Sequence, residues 1–159
     1  MSHSNNHGKL RLGKMASWQK WSTYLLLSTC LVSGLIWFVL ADWLVLMPPS
    51  LKPWWVVHGT SSLLSLLVIG AAVPHHMLVT WRSHRNRWGG FAASLVLLGL
   101  LITALLLFYG TEGLHDPVRW IHIGLGLGIL ILFPWHILRG KRSVAQVHLP
   151  ARAGVMATR

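Results

Sequence analysis

The chain has 159 residues, of which 53% are apolar and only 11% charged, and its fourteen Lys and Arg against three Asp and Glu give a net charge of +11. That length fits one domain, and a soluble domain normally carries about a quarter of its residues as charges, so this chain lacks the charge to solvate a globular surface. The apolar content excludes a disordered chain, and a single cysteine, Cys30, excludes a disulfide scaffold.

Residues 1–20 form a basic lead with Lys9, Arg11, Lys14 and Lys20. Four apolar stretches follow, at about 21–47, 54–81, 88–109 and 117–138. Each suffices for the ~20 helical residues that cross a bilayer. Pro48-Pro49, the basic run 82–87 and the polar run 110–116 separate them. The first stretch is too long for a cleaved signal peptide and ends in no small-residue cleavage site. Residues 139–159 form a second basic tail. The expected fold is all-α: a four-helix transmembrane bundle of two tandem two-helix units, with short loops making neighbouring helices antiparallel.

The cations sort by side. Lys9, Arg11, Lys14, Lys20, Arg82, Arg85, Arg87, Arg139, Lys141, Arg142, Arg152 and Arg159 fall on one side, whereas the other holds Lys52 and Arg119 with all three acids, Asp42, Glu112 and Asp116. The positive-inside rule then puts both termini in the cytoplasm. Ten Trp suit the membrane interfaces. Basic blocks in this arrangement read as topology and attraction to anionic lipid, not as a nucleic-acid surface.

Ionisable residues inside a span are expensive and mark function by default. Spans one and three contain no His, span two has His58, His75 and His76, and span four has His122 and His136. Spans two and four run parallel, so His58 and His122 are expected near the outer surface, and His76 and His136 near the inner one. His58 and His76 are 18 residues apart, about five whole turns, which aligns them on one face of a regular helix. His122 and His136 are 14 residues apart and fall within roughly 40° of each other. The axial separations are roughly 27 Å and 21 Å, a mismatch of one turn. His75 falls roughly 100° off that face.

Proline spacing repeats too. Pro53 and Pro117 each precede a His by five residues, and Pro74 and Pro134 each precede one by two. This suggests a two-span unit present twice, and it pairs His76, not His75, with His136. Two facing histidines per leaflet are what a bis-imidazole haem needs, with an axial nitrogen above and below the iron. Small residues beside the ligands make room for the macrocycle: Gly126 one turn below His122, Gly59, Ser61 and Ser62 beside His58, and Ala72 one turn above His76. Gly124 and Gly128 form a ridge for close helix approach. Haem propionates need cations at the membrane edge. Arg119 and Lys52 are the outer candidates, and Arg139 and Arg82 the inner ones. A proton relay or a metal-transport path through the same histidines is the competing reading. A mononuclear zinc site would need further ligands that the buried level lacks.

The Trp55-Val56-Val57-His58-Gly59 and Pro-x-His-[Met/Ile]-Leu segments, in four spans with both ends inside, resemble those of small bacterial dihaem cytochromes b. These group with the b561-like cytochromes and with the gamma subunits of formate dehydrogenase and nickel-iron hydrogenase. The nearest likeness is to a four-helix group associated with extracytoplasmic flavinylated proteins. The resemblance covers about residues 20–140. It implies that His58 with His122, and His76 with His136, hold two haems b in a bacterial inner membrane. It also implies electron transfer between a quinone pool and an extracytoplasmic redox partner, a flavoprotein or a protein of cytochrome c type. No nucleotide or flavin motif is present, so dehydrogenase chemistry belongs to the partner, and the chain is an electron-transfer subunit. A membrane anchor for a redox complex is a further alternative.

The remaining features have blander readings. His75 faces the inner boundary or another helix, with a quinone-site proton carrier as the functional option. His115 sits with Glu112 and Asp116 in an external loop, and His84 in the basic inner loop. His3, His7 and His148 lie in polar tails without ligand spacing. Cys30 reads as a small buried hydrophobe. Asp42 is a candidate proton or quinone contact, and Trp55, Trp120 and Trp135 are near enough in sequence to stack on haem.

Overall fold

The computed structural model describes residues 15–47, 49–82 and 87–156, with side chains for all of these except 75 and 143–156. Regular structure among them is helical: α1 (Ser17–Phe38), α2 (Lys52–Ala72), α3 (Leu78–Arg82), α4 (Arg87–Tyr109) and α5 (Glu112–Met156). π-Helical turns at Val39–Trp43 and Val73–Met77 extend α1 and α2. Four helical stretches are long and apolar enough to cross a membrane: Ser17–Trp43, Lys52–Ala72, Arg87–Tyr109 and Glu112–Arg142. The all-helical, four-span expectation stands, and the chain is a multi-pass membrane protein.

Two boundaries differ from the sequence reading. The polar run 110–116 is not a loop, because α5 starts at Glu112 and leaves Gly110 and Thr111 as the connection. The amide of Gly110 donates to the Leu106 carbonyl at 2.8 Å and closes α4. Any Cβ at Gly110 would run into that carbonyl, so the tight turn requires glycine. Glu112 lies in the first turn of α5, where the positive end of the helix dipole favours a carboxylate. At its other end α5 continues to Met156, so the first residues of the expected tail, 139–142, are helical. The lead residues 1–14 and the loop residues 83–86 lie outside the described residues.

The chain divides into two compact units, Met1–Val79 and Thr80–Arg159. In the first, α1 packs antiparallel against α2: the Gln19 amide reaches the Val68 carbonyl at 3.3 Å near one end, and Cys30 meets His58 near the other. The buried side chains are small or polar, namely Gln19, Thr23, Ser33, Ser61, Ser65 and Ala72. Leu25, Leu63 and Leu67 point outward, 60–69% exposed. This is the membrane arrangement, in which lipid takes the large apolar side chains and small residues let backbones approach. The hydroxyls of Thr23, Ser33 and Ser61 donate to the Gln19, Thr29 and Val57 carbonyls at 2.7–2.8 Å. Each is thus satisfied within its own helix before any partner is met.

In the second unit α4 packs antiparallel against α5. Gly89, Ala93 and Thr103 are buried on α4, with Val118 and Ile129 on α5. A Cβ at Gly99 would stand 3.0 Å from Leu125 Cδ1, so Gly99 is where the two helices approach closely. Residues 18–35 of α1 and 88–105 of α4 show the same sequence of buried, half-buried and exposed positions, residue for residue. Ser33 and Thr103 occupy matching places in that register.

Candidate functional site

His58 lies in the second turn of α2, with its ring turned onto α1. Its Nδ1 is 2.8 Å from the Cys30 carbonyl oxygen. A carbonyl only accepts, so Nδ1 carries the hydrogen. That choice leaves Nε2 with the lone pair, which is the form of imidazole that ligates iron. The close approach is possible because Gly34 lies under the ring: a Cβ there would stand 2.7 Å from His58 Cε1 and 2.8 Å from Nδ1. Trp37 presents an edge to the ring, with centroids 6.2 Å apart at 64°. The Cys30 thiol sits 3.6 Å from Nδ1, so this residue is more than the small packing group expected of it.

His122, on α5, meets the second unit's α4. Its Nδ1 is 2.8 Å from Thr103 Oγ1. The same oxygen is 2.8 Å from the Gly99 carbonyl and 3.1 Å from that of Leu100. A hydroxyl has one proton, and two oxygens 2.8 Å apart repel unless a proton lies between them. The Thr103 proton therefore goes to the carbonyls, and the third contact takes its hydrogen from His122 Nδ1. His122 thus has the same tautomer as His58, with the lone pair on Nε2.

His136 passes Gly90 of α4, where a Cβ would be 3.7 Å from its Cε1, an ordinary contact. His76 is half-buried and lies within the π turn Val73–Met77. Pro74 lacks the N–H for the usual helical bond, and its ring crowds the carbonyl four residues back, so the helix widens. The Leu78 amide bonds the Val73 carbonyl five residues behind it. This alters the expected alignment. A π turn carries one residue more than the α turn it replaces, which sets the phase of everything beyond it back by about 100°. His76 lies inside this turn, so it is displaced from the regular-helix alignment with His58 by part of that amount. The extra residue adds little rise, so the axial separation falls to roughly 25 Å, still longer than in α5. α5 passes Pro134 as continuous α-helix, and its regular spacing from His122 to His136 stands.

The other expected site residues fall as follows. Lys52 begins α2, exposed. Arg119 is half-buried with its guanidinium 5.4 Å from the Trp120 ring centroid, and Arg139 sits 5.0 Å from that of Trp135. Arg82 ends α3, exposed. A Cβ on Gly124, Gly126 or Gly128 would meet nothing within 4 Å. The space expected at Gly126 is there, but α4 does not use the Gly124/Gly128 ridge for close approach, and Gly99 does that instead. Gly59 is likewise open, while Ser61 faces the α1 contact and is buried. Trp55, Trp120 and Trp135 are 41–56% exposed, whereas Trp37 is the aromatic at His58. His115 is exposed in α5, and Asp42 is half-buried in the first π turn. His3, His7 and His84, and the side chains of His75 and His148, lie outside the described residues.

Cys30, Gly34 and Thr103 are the site residues that sequence reasoning missed. A main-chain acceptor has no sequence signature, and Gly34 and Thr103 are ordinary residues of a membrane helix. The one available clue was a small residue at matching places, Ser33 and Thr103, in the first helix of each half. No family model, curated protein or solved structure matches the chain.

Proposed function

We propose that this chain is a dihaem b-type cytochrome of the bacterial inner membrane, carrying electrons between a quinone pool and an extracytoplasmic redox partner. One observation carries the reading: His58 and His122, at corresponding places on α2 and α5, are both held through Nδ1, by the Cys30 carbonyl and by the Thr103 hydroxyl. A histidine whose other ring nitrogen is fastened by an oxygen is the usual form of a metal-ligating imidazole. A haem iron between two such nitrogens supplies a one-electron couple whose potential follows ligand basicity and burial.

In this reading His58 with His122 form the outer ligand pair, and His76 with His136 the inner one. Lys52 and Arg119 offer positive charge to propionates at the outer edge, and Arg82 and Arg139 at the inner edge. The open flank at Gly126 leaves room beside His122. The chain is a tandem duplication of a two-helix unit with both termini cytoplasmic. The matched burial of residues 18–35 and 88–105 supports the duplication, and the distribution of cations supports the orientation. The purified protein is expected to show reduced-minus-oxidised b-type bands and two haems per chain. His58→Ala and His122→Ala should each remove the same haem, and His76→Ala and His136→Ala the other. A colourless protein, or four variants that keep both haems, overturns the reading.

A further inference from the structure

The fastening of His122 differs in kind from that of His58. The acceptor at His58 is main chain, which no side-chain replacement deletes, whereas the acceptor at His122 is the Thr103 hydroxyl. The register explains why. Ser33 matches Thr103 and makes the same internal bonds, to Thr29 and Cys30 carbonyls at 2.7 and 3.0 Å. Its neighbour Gly34 leaves the α1 backbone bare, so the His58 ring lies over the main chain itself. In α4 the matching neighbour is Ala104, which carries a methyl where α1 has none, and the imidazole bonds the Thr103 hydroxyl.

We propose that Thr103 is a positioning residue that sets the tautomer and the ligand strength of His122, and so makes the two outer ligands chemically unequal. The tautomer follows from the hydrogen-bond geometry alone; the effect on iron rests on the haem reading above. Accepting the Nδ1 hydrogen raises the basicity of Nε2 and holds the ring in one orientation. Without it, the ring hydrogen is no longer held at Nδ1, and molecules with Nε2–H have no lone pair to give.

The test compares Thr103→Val, which keeps shape and loses the acceptor, with Thr103→Ser, which keeps the acceptor. Thr103→Ala is a second deletion should valine disturb folding. The full chain in lipid nanodiscs is titrated with haemin and poised electrochemically, and the haem-free protein carrying nitrogen-15 histidine reports the ring tautomer by NMR. Valine and alanine are expected to weaken one of the two haems by about 10- to 100-fold. The midpoint of that haem should also rise, because a less basic ligand favours ferrous iron. Serine should restore both properties. In the haem-free protein His122 should be Nδ1–H in the wild type and a mixture in the valine variant. An unchanged tautomer in both deletion variants overturns the role of Thr103 whatever the haem content. A wild type that binds no haem, with the tautomer shift still seen in Thr103→Val, overturns the cytochrome reading and leaves the role of Thr103 standing.

Discussion

At the scale of single residues, packing around the outer histidine is tight enough to give sharp outcomes. Gly34→Ala places a methyl 2.7–2.8 Å from two atoms of the His58 ring. The ring must move, and its 2.8 Å bond to the Cys30 carbonyl goes with it. On the proposed dihaem reading, spectroscopic counting should therefore show half the haem lost, whereas Gly59→Ala, which meets open space, should keep both. Ser65 makes the opposite case. Its hydroxyl is buried, with the residue 4% exposed, and has no hydrogen-bond partner among the described residues. An orphaned buried hydroxyl costs about 1–3 kcal/mol, so Ser65→Ala should raise stability by about 1 kcal/mol, seen as a higher midpoint of thermal unfolding in detergent. Ser61→Ala, which deletes bonds already made at 2.7 and 3.1 Å, should bring no such gain. The histidines were legible because a polar ring in an apolar run is conspicuous. Their fasteners were not, because which residue of α1 or α4 lies opposite a histidine depends on the offset between helices, and no local pattern encodes that offset.

At the scale of elements, two prolines at the same distance from a histidine have unequal effects. Pro74 sits in a π turn and Pro134 in unbroken α-helix. Identical Pro-x-His spacing in sequence thus conceals a difference in local helix geometry. The turn holds His76, so Pro74→Ala, which restores an amide and relieves the crowding at Gly70, should let a regular helix form and rotate His76 about the helix axis. Redox titration should then show the inner couple lost or shifted with the outer one unchanged, while Pro134→Ala leaves both as they were. Two unperturbed couples in Pro74→Ala mean that the turn does not place the ligand. The helices themselves were read well from hydropathy, since spans this apolar leave little choice. The ends were read less well: the polar run before Pro117 reads as a loop, but Glu112 gains from the helix dipole and the helix starts early.

At the scale of the whole molecule, the excess positive charge is an address. Three of the described cations at the proposed inner edge rest on a tryptophan. Lys20 lies 5.2 Å from the Trp21 ring centroid, Arg87 4.9 Å from that of Trp81, and Arg139 5.0 Å from that of Trp135. Arg87 Nε also donates to the Trp81 carbonyl at 3.0 Å. A cation stacked on an indole suits the headgroup layer, where ring and charge each find their medium. These pairs fix depth, but they do not fix sidedness, because Arg119 and Trp120 make the same pair, at 5.4 Å, at the other end of α5. Sidedness must come from number, and the count of cations in the sequence favours the side proposed to be cytoplasmic. A reporter that matures only in the cytoplasm should therefore be active when fused after Arg142 or within residues 82–87, and inactive at Gly110–Thr111. A reporter that needs the far side should give the reverse. The result bears directly on the proposed chemistry. If the pattern is inverted, His58 and His122 face the cytoplasm, and the haem they are proposed to hold would meet a cytoplasmic partner. If it stands, the two histidines fastened by Cys30 and Thr103 lie on the side where an extracytoplasmic partner is proposed to dock. The difference in ligand strength set by Thr103 would then act at the haem exchanging electrons with that partner.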